Sequence, residues 1–199
     1  MELIALLGRT AAFSFAAGVN LYATVAVIGL ASRFEWVTLP PQFQIFDSNV
    51  VIGIALVLYL VEFFADKIPY VDTAWDVVHT AIRPLGGAFV AVASLGDVSP
   101  AAQGLAALLG GTLAAGSHLT KAGTRAAANV SPEPFSNWAL SLAEDGLVVG
   151  LGILALTYPV TALVVTLVLV GLMVVFAAAI VRAIRRRFGR VRYTLGASA

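Results

Sequence analysis

Long apolar stretches, separated by short polar or proline-bearing breaks, run the length of the chain. Six of them read as membrane helices: 11–31, 49–65, 81–95, 101–123, 137–157 and 160–184. A crossing needs about 20 residues, so 49–65 and 81–95 are short and are expected to begin or end in interfacial turns. Pro40 and Pro41, Pro69, Pro100, Pro132 and Pro134, and Pro159 stand in the breaks. Trp36, Tyr70, Trp75, Trp138 and Tyr158 fall near the ends of the stretches, where amphipathic rings prefer the headgroup region. The pattern predicts an all-α, polytopic membrane helix bundle of about six transmembrane helices, with residues 1–184 forming one transmembrane domain.

Composition agrees. Of the 199 residues, 60% are hydrophobic and 12% charged, with a mean hydropathy of +0.94. Ordinary soluble domains carry about 25% charged residues, and a chain this apolar cannot hide its surface in one core. There are no cysteines, which excludes disulfides, thiolate nucleophiles and cysteine-held metals. His79 and His118 are too few for a histidine-built metal site, and any other metal is left open. Arg9 precedes an apolar stretch longer than a signal-peptide core, so the first stretch reads as a retained span.

The basic residues are segregated. With six crossings and the N-terminus inside, the cytoplasmic segments hold Arg9, Lys67, Arg83, Lys121, Arg125 and every arginine from Arg182 to Arg192, leaving Arg33 outside. That sorting satisfies the positive-inside rule. It predicts a multi-pass protein of the cell (inner) membrane with both termini cytoplasmic and 185–199 a basic cytoplasmic tail. Because the arginine run abuts an apolar helix, it reads as an anchor at the anionic inner leaflet, at about 1 kcal/mol per residue. The expected partners are the lipid bilayer and a small ion or solute; no nucleic acid is expected, and an oligomer is compatible with the sequence.

Six helices can be two inverted three-helix repeats, here 11–97 and 101–184. Phe15-Ala-Ala-Gly-Val-Asn-Leu21 can be laid over Leu113-Ala-Ala-Gly-Ser-His-Leu119, and Ser48-Asn49 over Ser136-Asn137. Chance recurrence in an alanine- and glycine-rich chain is the other explanation.

Charged side chains within or beside spans need a reason, because an ionised group at a helix centre costs about 2.5–3.5 kcal/mol on insertion scales. Glu62 and Asp66 share a face at the inner end of the second span. Asp72, Asp76, His79 and Arg83 recur at helical spacing, with Val77, Val78, Ala81 and Ile82 opposite. That stripe predicts an amphipathic helix capped by Asp72 and bent at Pro84, which either lies on the inner leaflet with its charges in water or lines a vestibule. His118, Lys121, Arg125 and Asn129 form a cationic stripe, and Asn137, Ser141 and Glu144, with Asp145 adjacent, line the fifth span. A buried carboxylate needs a basic partner, a bound cation or a proton. Asn20, mid-span beside Gly18, needs a partner for its amide. Gly146 and Gly150, like Gly110, Gly111 and Gly116, suit close helix contact. No phosphate-binding loop, nucleophile elbow or zinc motif is present, so neither an enzyme nor a cofactor is expected.

The run Leu60-Val-Glu-Phe-Phe-Ala-Asp-Lys-Ile-Pro-Tyr-Val-Asp72, with Trp75-Asp76 and Ile82-Arg-Pro84, is joined by Ser131-Pro-Glu-Pro-Phe-Ser-Asn137 and Leu142-Ala-Glu-Asp145. Together they resemble the bacterial membrane proteins catalogued as domain of unknown function 4126. The resemblance implies a small multi-pass membrane protein and names no activity. More distantly, Glu62-Phe-Phe-Ala-Asp66-Lys67 is similar to the Glu-x-Gly-Asp-Lys motif of cation exporters built from two inverted three-helix halves. Here the acids are four apart rather than three, and the glycine is missing.

The functional expectation is a small transporter or channel with a cytoplasm-facing acidic site for a cation or a proton-coupled solute. Glu62, Asp66, Glu144, Asp145, Asn20 and Asn137 would bind it, and His118, Lys121, Arg125, Asp76, His79 and Arg83 would balance the charge. The alternative is a non-transporting scaffold or assembly protein whose buried charges are structural salt bridges.

Overall fold

The computed structural model describes residues 2–129 and 135–196, and within these no side chain at 69, 184 or 187–196. Residues 131–134 of the Ser-Pro-Glu-Pro motif and 197–199 of the basic tail lie outside the described residues. The helices are α1 (Glu2–Val19), α2 (Leu21–Arg33), α3 (Asn49–Ala65), α4 (Pro69–Leu95), α5 (Pro100–Ala128), α6 (Phe135–Thr157) and α7 (Pro159–Gly196), with a 3₁₀ turn at Pro41–Phe46. Prolines open α4, α5 and α7, where their fixed φ suits the first turn and their missing N–H goes unused. The all-α expectation holds among the described residues. Four stretches, Glu2–Val19, Tyr70–Leu95, Phe135–Thr157 and Pro159–Ala183, are long and apolar enough to cross a membrane; Leu21–Arg33 and Asn49–Ala65 are shorter apolar helices.

Large apolar side chains cover the outside, among them Val57, Leu85, Leu108, Leu142, Leu167 and Leu172. Exposed hydrocarbon on this scale is stable against lipid, not water. The core is α1, buried at every residue from Ala12 to Val19 and packed against α4, α5, α6 and α7. Gly18 makes that possible, since an added Cβ would sit 2.0 Å from Ser117 Oγ and 2.2 Å from the Ala114 carbonyl. Gly146 and Gly150, expected to serve close contact, have nothing within 4 Å of an added Cβ.

The first apolar stretch is not one rod. Gly8 abuts Pro159, and Gly18 abuts Ala114 and Ser117, so α1 runs the same way as α7 and α5. Asn20 bonds Asp145, Val27 meets Gly152, Gly29 meets Ile52, and Arg33 bonds Asp47 and Asn49 at the start of α3. α2 therefore runs back with α6, toward the end where α1 began. The turning point is Asn20, extended at φ −150° and ψ 101°. Its side-chain oxygen accepts from Ala23 N at 2.9 Å and caps α2, the usual way an asparagine competes with helix continuation. The α1–α2 pair is thus re-entrant, and the amino terminus lies at the end of the bundle that holds Pro159 and the loop at 96–99. This corrects the expectation that both termini share one side: Arg9 joins Arg33 at one end, while Lys67, Lys121, Arg125 and Arg182 lie toward the other. It also removes the basis for the inverted overlay of 15–21 on 113–119, because α1 and α5 run in the same direction.

The stripe of α4 corrects a second expectation. Asp72, Asp76, His79 and Arg83 are buried against α5, while Val77, Val78 and Ile82 are exposed. The helix is amphipathic with its polar face inward, so it neither rests on the leaflet nor puts its charges in water. It runs unbroken through Pro84, and Ile68, not Asp72, is its cap residue. Trp75, expected at the interface, stacks on His79 with centroids 4.5 Å apart, whereas Trp36, Tyr70, Trp138 and Tyr158 are exposed.

Candidate functional site

The inward faces of α3, α4, α5 and α6 bring the charged side chains that these four helices carry to one buried network. The ends of these helices nearest Lys67 carry it because their sequences place an acid or base every three or four residues on a single face. Glu62 on α3 is fully buried between Arg83 Nη2 at 2.7 Å and Lys121 Nζ at 3.1 Å. Asp66, one turn on, accepts from Lys121 at 3.1 Å and Arg125 at 2.8 Å. Arg125 forks onto Glu144, with Nη2 at 2.6 Å from Oε2 and Nε at 3.0 Å from Oε1, and Lys121 Nζ approaches the same carboxylate at 3.4 Å. Asp72 and Asp76 lie 3.8 Å from Arg125 and 3.6 Å from Arg83. Planar, forked arginines suit such shared pairing better than a point charge would.

The two histidines are hydrogen-bonded within the same region. Arg83 Nη1 lies 2.8 Å from His118 Nδ1, and a guanidinium only donates, so Nδ1 accepts and Nε2 carries the hydrogen toward Thr80 Oγ1 at 3.1 Å. His79 Nδ1 donates to the Trp75 carbonyl at 2.8 Å, and its Nε2 is hydrogen-bonded to the Tyr22 hydroxyl at 2.9 Å. The His118 ring is neutral in this arrangement. Six carboxyl groups (Glu62, Asp66, Asp72, Asp76, Glu144, Asp145) share the region with three buried cations, Arg83, Lys121 and Arg125.

The break at Asn20 enters this network from above. Gly18, in the last turn of α1, offers its carbonyl to Arg83 Nη1 at 3.3 Å, and Phe15 offers its own to Ser117 Oγ at 2.8 Å. The negative end of one half-helix thus meets a cation. On the other side, Asn20 Nδ2 donates to Asp145 Oδ1 at 3.2 Å, which sets a carboxylate beside the positive amino end of α2. Asp145 lies ten residues into α6, about 15 Å along its axis, so the break sits deep in the bundle. Asn137 is buried near the start of α6 and donates to Asn129 Oδ1 at 2.7 Å; Asn129 in turn donates to Asp72 at 2.9 Å.

All twelve expected site residues thus fall in one connected region, but the acids close onto cations instead of facing an open chamber. Two cavities border it. One of about 190 Å³ lies between α4 and α5, lined by Asp72, Asp76, Thr80, Arg125 and Asn129. A cleft of about 420 Å³ is apolar, walled by Phe15, Leu147, Leu169 and Met173, with Lys121 and Glu144 at its polar edge. Among the described residues no group of three or more His, Asp or Glu side chains is arranged to hold a metal ion. Glu62 and Asp66, the acids set against the exporter motif, are engaged here by Arg83, Lys121 and Arg125.

Sequence reasoning missed Tyr22, the partner of His79, and Tyr59, which lies within reach of Asp145. Tyr59 precedes Glu62 by three residues and shares its helix face, a signal that was available. Nothing local marks Tyr22, whose place depends on the fold-back at Asn20.

No curated protein and no solved structure matches the chain with significance. Residues 7–179 match the family described as Domain of unknown function (DUF4126), and with that share of its length covered the chain belongs to this family.

Proposed function

We propose that this membrane protein is a small transporter whose buried charged network handles a proton or small cation, alone or coupled to a solute. The observation that supports this best is the broken helix pair. An extended backbone held deep in an apolar bundle is costly unless neighbours satisfy it, and transporters place such breaks at their binding sites, with half-helix ends directed at charge. Here one half-helix ends on Arg83 and the other starts beside Asp145. A scaffold has no evident need for a re-entrant pair at its centre.

The scaffold reading draws support from the closed pairs Glu62–Arg83 and Asp66–Arg125. The two part in proteoliposomes. With purified full-length protein and an imposed membrane potential, a transporter admits protons or one of sodium, potassium and lithium above the rate of empty vesicles. Glu144→Gln abolishes that flux while the protein stays folded. For a scaffold there is no flux above empty vesicles, and Glu144→Gln lowers thermal stability only.

A further inference from the structure

Each carboxyl group of the network but one has a cation close by. Glu62 has Arg83 and Lys121; Asp66 and Glu144 have Lys121 and Arg125; Asp72 and Asp76 have an arginine within 3.8 Å. Asp145 has none within 4.0 Å among the described residues. It is only 9% exposed, Asn20 holds its Oδ1, and no hydrogen bond closes on its Oδ2.

The charged and titratable groups facing Asp145 do not change this. Tyr59 and Glu62 come from α3, Lys67 from the turn after it, and Lys121 from α5, while Glu144 is its neighbour on α6. Lys121 is already shared by Glu62, Asp66 and Glu144. Lys67 donates to the Phe63 carbonyl at 2.8 Å and to Ser141 Oγ at 3.3 Å, with its ammonium 3.1 Å from the Phe63 ring centroid. A buried carboxylate with no cation within 4.0 Å and no hydrogen bond on one of its oxygens is a group that a proton stabilises.

We propose that Asp145 is a proton-binding site at the centre of the bundle, opposite the break in the α1–α2 pair. Its place in transport rests on the reading above; proton binding itself does not. A hydronium ion transfers its proton to Oδ2: one of its O–H bonds breaks to leave water, the Oδ2–H bond forms, and the carboxylate's negative charge is lost. The new O–H has the Tyr59 hydroxyl as a neighbour able to accept it. Ser141, one turn toward the inner end of α6, and Lys67 mark the polar route by which that proton arrives.

The test is infrared difference spectroscopy on the full chain in lipid nanodiscs, comparing low and high pH. A protonated-carboxyl stretching band is expected at low pH and lost at high pH. It disappears in Asp145→Asn and persists in Asp72→Asn. Where Asp145→Asn fails to fold, Asp145→Glu serves, because a glutamic acid band lies at a different frequency and the wild-type band moves accordingly. A wild-type band that is absent, or unchanged in both Asp145 variants, overturns the proposal. A band that behaves as expected in a protein showing no flux leaves the proton site standing and removes the transport reading. Flux without the band does the reverse.

Discussion

Arg83 ties α4 to α1, α3 and α5 through one buried guanidinium, and Arg83→Met tests that role at nearly constant side-chain length. The native guanidinium is fully buried and reaches Glu62 at 2.7 Å, His118 at 2.8 Å, the Gly18 carbonyl at 3.3 Å and Asp76 at 3.6 Å. Methionine leaves Glu62 with Lys121 alone and strips the end of α1 of its donor. Breaking one side of a buried ion pair costs about 3–5 kcal/mol in water-soluble proteins. Single polar contacts between membrane helices average about 0.6 kcal/mol, because the unfolded chain in lipid also finds partners. The stranded charge outweighs the lost contacts here, since Glu62 has no exposed surface, and the lower end of the range applies. A loss of about 3 kcal/mol lowers the folding equilibrium roughly 150-fold. Reversible unfolding in mixed micelles, titrated with a denaturing detergent, reads it directly. Removing both charges in Glu62→Gln with Arg83→Met restores at least about 1 kcal/mol relative to the sum of the single changes. Singles within about 0.5 kcal/mol of wild type, or a double equal to that sum, would refute the reasoning.

Three further outcomes follow from the packing and the break. Gly18→Val forces α1 away from α5 and costs about 1–3 kcal/mol, whereas Gly146→Ala, with nothing within 4 Å, leaves thermal stability unchanged or slightly raised. Asn20→Ala removes the cap of α2 and the donor to Asp145, lowering stability by about 1–2 kcal/mol in the same unfolding assay. Arg125→Lys cannot fork onto Glu144 and loses about 1–3 kcal/mol, and a variant as stable as wild type would show that the bidentate geometry contributes nothing.

The membrane character and the set of clustered charges were legible because both follow from periodicity. Apolar runs fix where lipid must lie, and acids and bases three or four apart fix which face each helix turns inward. Glu144 with Arg125 and Lys121 came from that logic alone. The direction of the α4 face did not, because a stripe of charges opposite valines looks the same whether the solvent outside is water or hydrocarbon. Only the exposure of Val77 and Val78 decides it. The fold-back at Asn20 was hidden for a related reason: 11–31 has the length of a crossing, and one asparagine in an apolar run is compatible with a continuous helix. Its capping role requires Asp145 and Arg83 from distant helices to make the break affordable. Likewise, Phe43 and Phe46 lie in a segment that reads as a loop, yet they fill the bundle beside Phe13 and Phe89.

The fold-back at Asn20 fixes where the amino terminus lies, and the natural absence of cysteine makes that simple to measure. Single cysteines placed at Leu3, Asp97, Tyr158 and Lys67 in oriented vesicles are exposed to a membrane-impermeant thiol reagent from each side. Leu3, Asp97 and Tyr158 should label from one face and Lys67 from the other. Labelling of Leu3 together with Lys67, and apart from Asp97, would mean that residues 11–31 cross the membrane as one rod and that the break does not exist.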